Sequence, residues 1–146
     1  MSDASLVVIL VIVGPLFFVG FWSAVCWLIA TMSGWRGLAR RFATTEPAPG
    51  WSEWTTAMMG LASYRHTLAI GAAVDGLDLR VMSLFRPGHA PLRIPWSLVV
   101  FEGTGLFGQA KVRLGGARGA VLRVPGALWR EIEGRVRHAQ EKGEAP

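Results

Sequence analysis

The chain has 146 residues, enough for one modest domain; 51% are hydrophobic, 17% are charged, and the formal net charge is +5. That apolar share exceeds the share in an ordinary soluble domain, and the single cysteine, Cys26, excludes an intramolecular disulfide framework.

Much of the apolar excess lies in residues 6–32, LVVILVIVGPLFFVGFWSAVCWLIATM, a run of 27 residues without a charge. As a helix it would be roughly 40 Å long, more than the ~30 Å hydrocarbon core of a bilayer. Its sixteen Leu, Ile, Val and Phe residues contribute on the order of −5 to −10 kcal/mol to insertion. The expectation is a transmembrane anchor over 1–33. Its surplus length would be taken up by tilt, by a kink at Gly14-Pro15, or by ends lying in the interface. The flank MSDAS carries an acid and no base, and the run is longer than a signal-peptide core, so a retained anchor is expected. Cys26 reads as a small apolar residue on that helix.

All fifteen Lys and Arg residues follow the apolar run, beginning with Arg36, Arg40 and Arg41, and nine Asp and Glu residues accompany them, a net +6. The positive-inside bias then places the N-terminus outside and the C-terminal domain in the cytoplasm, at a bacterial inner membrane. Such a domain suits anionic lipid head groups. Nucleic acid is not expected as a partner, because no basic helix and no Arg/aromatic ladder is visible.

Residues 34–43 form a basic amphipathic segment in which Trp35, Leu38 and Phe42 make one helical stripe. The reading places Trp35 at the membrane interface and Arg36, Arg40 and Arg41 near phosphates. Ordinary stop-transfer charges are the alternative, and they too leave the arginines near lipid. Residues 44–50, TTEPAPG, read as a linker.

From Trp51 to the end, 51–146, the period becomes that of strands. WTTAMMGLA and RHTLAIGAAV are two apolar runs with a break near Ser63-Tyr64, and Asp75-Gly76 is a strong hairpin signal. Beyond it Leu77, Leu79, Val81 and Phe85 share one face, with Asp78, Arg80 and Met82 on a solvent face. RPGHA is a turn, and Pro95 in LRIPW marks an edge strand or bulge. LVVFE, KVRL and AVLRV follow. In residues 126–142 Leu128, Ile132 and Val136 recur as the apolar face of a terminal helix. The fold class expected is α+β, mainly β: a small antiparallel barrel of about seven strands with a capping amphipathic helix.

EGTGLFGQA, residues 102–110, spells G-x-G-x-x-G with Gly103, Gly105 and Gly108. A dinucleotide cradle needs a helix opening at the third glycine. Here Lys111 and Arg113 alternate with Val112 and Leu114, and GGARG follows, so the reading is a glycine-rich turn between strands. Leu106 and Phe107 at its tip are expected to fold back into the core. Exposure as an apolar contact loop for membrane or a partner is the alternative. His66, His89 and His138 have no metal-ligand spacing, and P-loop, G-x-S-x-G and H-E-x-x-H motifs are absent. No catalytic residues, metal or cofactor are expected.

The order G-L-x-L strand, turn, I-P-W strand and L-V-V-F, residues 76–105, resembles the middle hairpins of pleckstrin-homology-like (PH/GRAM-type) bacterial domains, and the helix from Gly126 resembles their capping helix. The resemblance covers about two thirds of the chain and transfers no ligand-site residue. It implies a membrane-tethered, non-enzymatic binding or scaffolding module engaging anionic lipid or a protein partner. An accessory subunit of a larger membrane protein complex is the alternative.

Overall fold

The computed structural model describes residues 2–45 and 54–141, with side chains described as far as His138. Most of the expected linker, the start of the expected β domain at 51–53, and residues 142–146 lie outside the described residues.

Helix α1 (Asp3–Met32) is continuous through Pro15 and is long and apolar enough to cross a membrane. Ser2 caps its start through its side chain, and Asp3 sits favourably in the first turn. It stops at Ser33 and Gly34, where Gly34 takes φ +82° and serves as N-cap of helix α2 (Trp35–Phe42).

Seven strands follow: β1 (Thr55–Met59), β2 (Ala62–Ala72), β3 (Gly76–Val81), β4 (Leu92–Pro95), β5 (Val99–Thr104), β6 (Gln109–Leu114) and β7 (Ala120–Pro125). Helix α3 (Gly126–Glu141) ends the described chain. The strands pair antiparallel in the order β4-β3-β2-β1-β7-β6-β5, a nearly closed barrel. The expected fold class is the one observed, and β4, which carries Pro95, lies at a sheet edge.

The first hairpin turns at Gly60-Leu61 rather than at Ser63-Tyr64, which are both in β2. Gly60 has φ +56°, and a Cβ there would meet the Ser33 carbonyl oxygen at 2.8 Å, so the turn requires glycine. Further along β2 the register with β1 shifts, and His66 adopts φ +51° while its N–H donates to Thr56 Oγ1. This bulge bends β2 as it passes from pairing with β1 to pairing with β3.

The Asp75-Gly76 signal located the second hairpin, whose tip is Val74-Asp75, with Ala73 N–H donating to the Gly76 carbonyl. Gly76 is needed for space: a Cβ would lie 2.4 Å from the Ile94 carbonyl oxygen on β4. Asp78, expected on a solvent face, is fully buried. It is directly opposite Arg93 on β4, which donates to both of its carboxylate oxygens at 2.8 and 2.9 Å. The alternating pattern identified the face, but not the partner that allows a charge to be buried there.

The core gathers Leu68, Ile70, Leu77, Leu79, Leu92, Ile94, Val112, Leu114 and Leu122 from the strands. It is closed from two directions. Trp129 and Ile132 of α3 are buried against it, with Leu128 and Val136 packed at the margin. From the other side α2 inserts Trp35 and Leu38, and Ala43 bridges to Leu92. The stripe Trp35, Leu38, Phe42 exists as expected, but it faces the barrel.

Candidate functional site

Three connections of the barrel meet the end of α1 and helix α2. Gly60 of the first hairpin abuts Ser33, Gly115 of the β6–β7 turn abuts Leu38, and Gly88 of the β3–β4 connection abuts Cys26, Trp27 and Ala30.

The docking of α1 on the barrel follows a helical stripe. Trp22 Nε1–H donates to the Leu84 carbonyl at 2.7 Å, and its ring lies 5.4 Å from that of Phe85. One turn later Cys26 is buried, then Ala30, then Ser33. Cys26 is therefore a contact residue between helix and β domain. Residues 3–21 ahead of this stripe are exposed on all sides. One face at the end of the apolar run thus packs on protein.

Beneath the junction is a buried polar and aromatic cluster. The Trp35 ring is fully buried at 5.3 Å from the His89 ring and 6.0 Å from the Tyr64 ring, and its Nε1–H donates to the Ala90 carbonyl at 2.8 Å. This corrects the expected placement of Trp35 at the membrane interface: its apolar surface and its donor are both used inside the protein. The Tyr64 hydroxyl donates to Ser33 Oγ at 3.0 Å and lies 2.9 Å from His89 Nε2. Ser33 Oγ also accepts from Trp35 N–H and donates to the Ala30 carbonyl. Burial lowers the His89 pKa, opposed by hydrogen bonding to the Pro87 and Phe85 backbone. Burial pushes the Tyr64 phenol up to about 12, opposed by the hydrogen bond to Ser33.

Over this cluster the arginines separate into two groups. Arg36 and Arg40, four residues apart on one face of α2, line a groove with Arg86, Gly88, Ala90 and Pro91. The Arg36 guanidinium lies over the Trp27 ring, 4.1 Å from its centroid. Arg41 points elsewhere: it lines a different depression with Arg118 and donates to the Gly115 carbonyl at 3.1 Å. Beyond Arg86 the first groove continues into a cavity of about 490 Å³ lined by Thr44, Trp54, Arg80, Ser83, Arg86 and Pro91, among others. No Asp or Glu lines either of these two depressions among the described residues. Arg36, Arg40 and Arg86 present guanidinium groups along the first groove, a surface suited to phosphate oxygens. Sequence reasoning missed Arg86 and Arg80. Arg86 had only the turn RPGHA as a signal, Arg80 only its place on the face shared with Asp78 and Met82, and nothing in either says that the turn folds back onto α1.

The G-x-G-x-x-G segment is a turn between β5 and β6, with φ of +135° at Gly103 and +73° at Gly108. No helix opens at Gly108, so the geometry of a pyrophosphate cradle is missing there. Leu106 and Phe107 are 99% and 89% exposed, which overturns the expectation that they return to the core. The chain turns within 105–108 and directs both side chains outward, so neither α3 nor the barrel covers them.

No family description, no curated protein and no solved structure matches this chain.

Proposed function

We propose that the protein is a membrane-anchored cytoplasmic module whose PH-like β domain holds anionic head groups in the Arg36–Arg40–Arg86 groove. The observation that carries this reading is the position of the groove along α1. Residues 3–21, the exposed part, measure about 28 Å at roughly 1.5 Å per residue, close to the ~30 Å hydrocarbon thickness. Trp22, where the β domain first touches the helix, then falls at the membrane surface, a depth favoured by Trp. Arg36 stacks on Trp27, five residues or about 8 Å further on, the depth of the head-group layer. The positive charge following the helix supports a cytoplasmic domain. The seven-stranded near-barrel with its terminal helix is compatible with the PH-like fold that residues 76–105 resemble.

Three arginines at an anionic surface contribute about 3 kcal/mol in total, and the attraction is screened by salt. The test reconstitutes the full chain in nanodiscs of zwitterionic lipid or of a mixture containing anionic lipid, and measures backbone amide exchange. Residues 36–40 and 84–91 should exchange more slowly over anionic lipid. The difference should vanish at high salt and in the triple variant Arg36→Glu, Arg40→Glu, Arg86→Glu. Equal exchange in both lipids would rule out the proposal.

A further inference from the structure

The polar groups beneath the junction of α1 and the barrel form a chain whose protons can be counted. It runs from the Ala30 carbonyl through Ser33 Oγ and the Tyr64 hydroxyl to His89 Nε2, and then from His89 Nδ1 to the Pro87 carbonyl. The successive contacts are 3.2, 3.0, 2.9 and 3.2 Å. Each contact needs one proton. The carbonyls at the two ends supply none, while Ser33, Tyr64 and a neutral His89 supply one each, which leaves one contact without a proton. The phenol, pushed up to about 12, keeps its own. An imidazolium carries a proton on both nitrogens and completes the chain. The chain thus has room for one more proton, and His89 is the member that can carry it.

What opposes that proton is burial and the charge around it. His89 is buried, and it lines the cavity of about 490 Å³ together with Arg80 of β3 and Arg86 of its own connection. Its neighbours Gly88 and Ala90 line the groove with Arg36 and Arg40 of α2. On its other sides it meets the Tyr64 phenol of β2 and the Trp35 ring of α2, and Gly88 abuts Cys26 of α1. These four charged neighbours are all cationic. They repel an imidazolium while the groove is empty, and a phosphate held by Arg36, Arg40 and Arg86 offsets that repulsion. Burial leaves the interaction only weakly screened by salt.

We infer that His89 is a proton sensor for the Arg36–Arg40–Arg86 groove. An anionic head group in the groove and a proton on His89 stabilise each other, so the module holds anionic lipid more tightly as pH falls through the imidazole range. This inference rests on the head-group reading above. The coupling is reciprocal: the shift that the anion causes in the His89 titration measures the change in anion affinity that the proton causes. His66, exposed at the β2 bulge, reports what a negatively charged surface does to any imidazole.

The test titrates the imidazole signals of the full chain by NMR in nanodiscs of phosphatidylcholine, alone or mixed with phosphatidylglycerol, whose phosphodiester keeps its charge throughout. His89→Gln identifies the His89 signal by its loss. In the mixed lipid the His89 pKa should rise by at least about half a unit more than that of His66, which corresponds to about threefold tighter anion binding by the protonated form. Tyr64→Phe removes the acceptor for Nε2–H and should lower the His89 pKa in both lipids, with circular dichroism confirming the fold. Suppose the rise is no larger than that of His66 while residues 36–40 and 84–91 still exchange more slowly over anionic lipid. The inference would then be overturned and the head-group groove would stand. Equal exchange in both lipids would remove both. A His89 pKa unmoved by Tyr64→Phe would show that the chain does not hold the proton, and would also overturn the inference.

Discussion

Replacing Trp35 with alanine tests whether the amphipathic segment after the apolar helix belongs to the barrel or to the membrane. The ring is fully buried between Tyr64 and His89, and its Nε1–H satisfies the Ala90 carbonyl. Removing a buried aromatic of this size costs about 3–5 kcal/mol, and the lost hydrogen bond adds about 1 kcal/mol. Against a typical total stability of roughly 5–15 kcal/mol this is a large fraction. For a domain of this size each kcal/mol corresponds to about 4–8 °C, so Trp35→Ala should lower Tm by about 20 °C or more. Trp35→Phe keeps a ring against Tyr64 and His89 and should lose about a third of that. Trp27→Ala removes a ring that is 50% exposed and should shift Tm by only a few degrees. The assay is thermal unfolding of the full chain in mild detergent, followed by circular dichroism. A Trp35→Ala protein melting within about 2 °C of the parent would refute the placement and return Trp35 to the interface. The same reasoning implies that a fragment starting at residue 47 lacks part of its own core, since Trp35 and Leu38 lie upstream.

His89 gives the fold a pH dependence of definite sign. Burial lowers its pKa in the folded state, so the unfolded chain binds the proton first as pH falls. The stabilising effect of neutral His89 is complete above about pH 6.5 and declines below it toward the folded value, by at most about 1.4 kcal/mol per pH unit. Urea midpoints measured from pH 7.5 downward should fall in that window, and His89→Gln should flatten the slope; an unchanged slope would sink the assignment. Arg93→Leu strands the buried Asp78 carboxylate and should destabilise by about 3–5 kcal/mol, while adding Asp78→Asn should restore at least half. If the double variant is no better than the single, the pair is not the source of the loss.

The succession of short strands along the chain, their antiparallel character, the apolar helix at the start and the capping helix at the end were legible in the sequence; the sheet order, the β1–β7 pairing and the position of the first turn were not. Each rests on a local periodicity or a turn residue: alternation in 76–81, Asp75-Gly76, and the four-residue recurrence of Leu128, Ile132 and Val136. Local patterns also exposed the false nucleotide motif, because the residues after Gly108 alternate as a strand does. They could not say which surface an apolar stripe would meet. Trp35, Leu38 and Phe42 suit a bilayer and a barrel equally, and the choice between the two was made by Tyr64, His89 and Ala90, which lie far along the chain. The same limit hid the pairing of Asp78 with Arg93 and the division of the arginines, with Arg36 and Arg40 joined by Arg86 while Arg41 bonds the Gly115 carbonyl. Periodicity fixes which side chains share a face of one element. Only the nearly closed barrel, folded back onto the end of the N-terminal apolar helix, determines what that face touches.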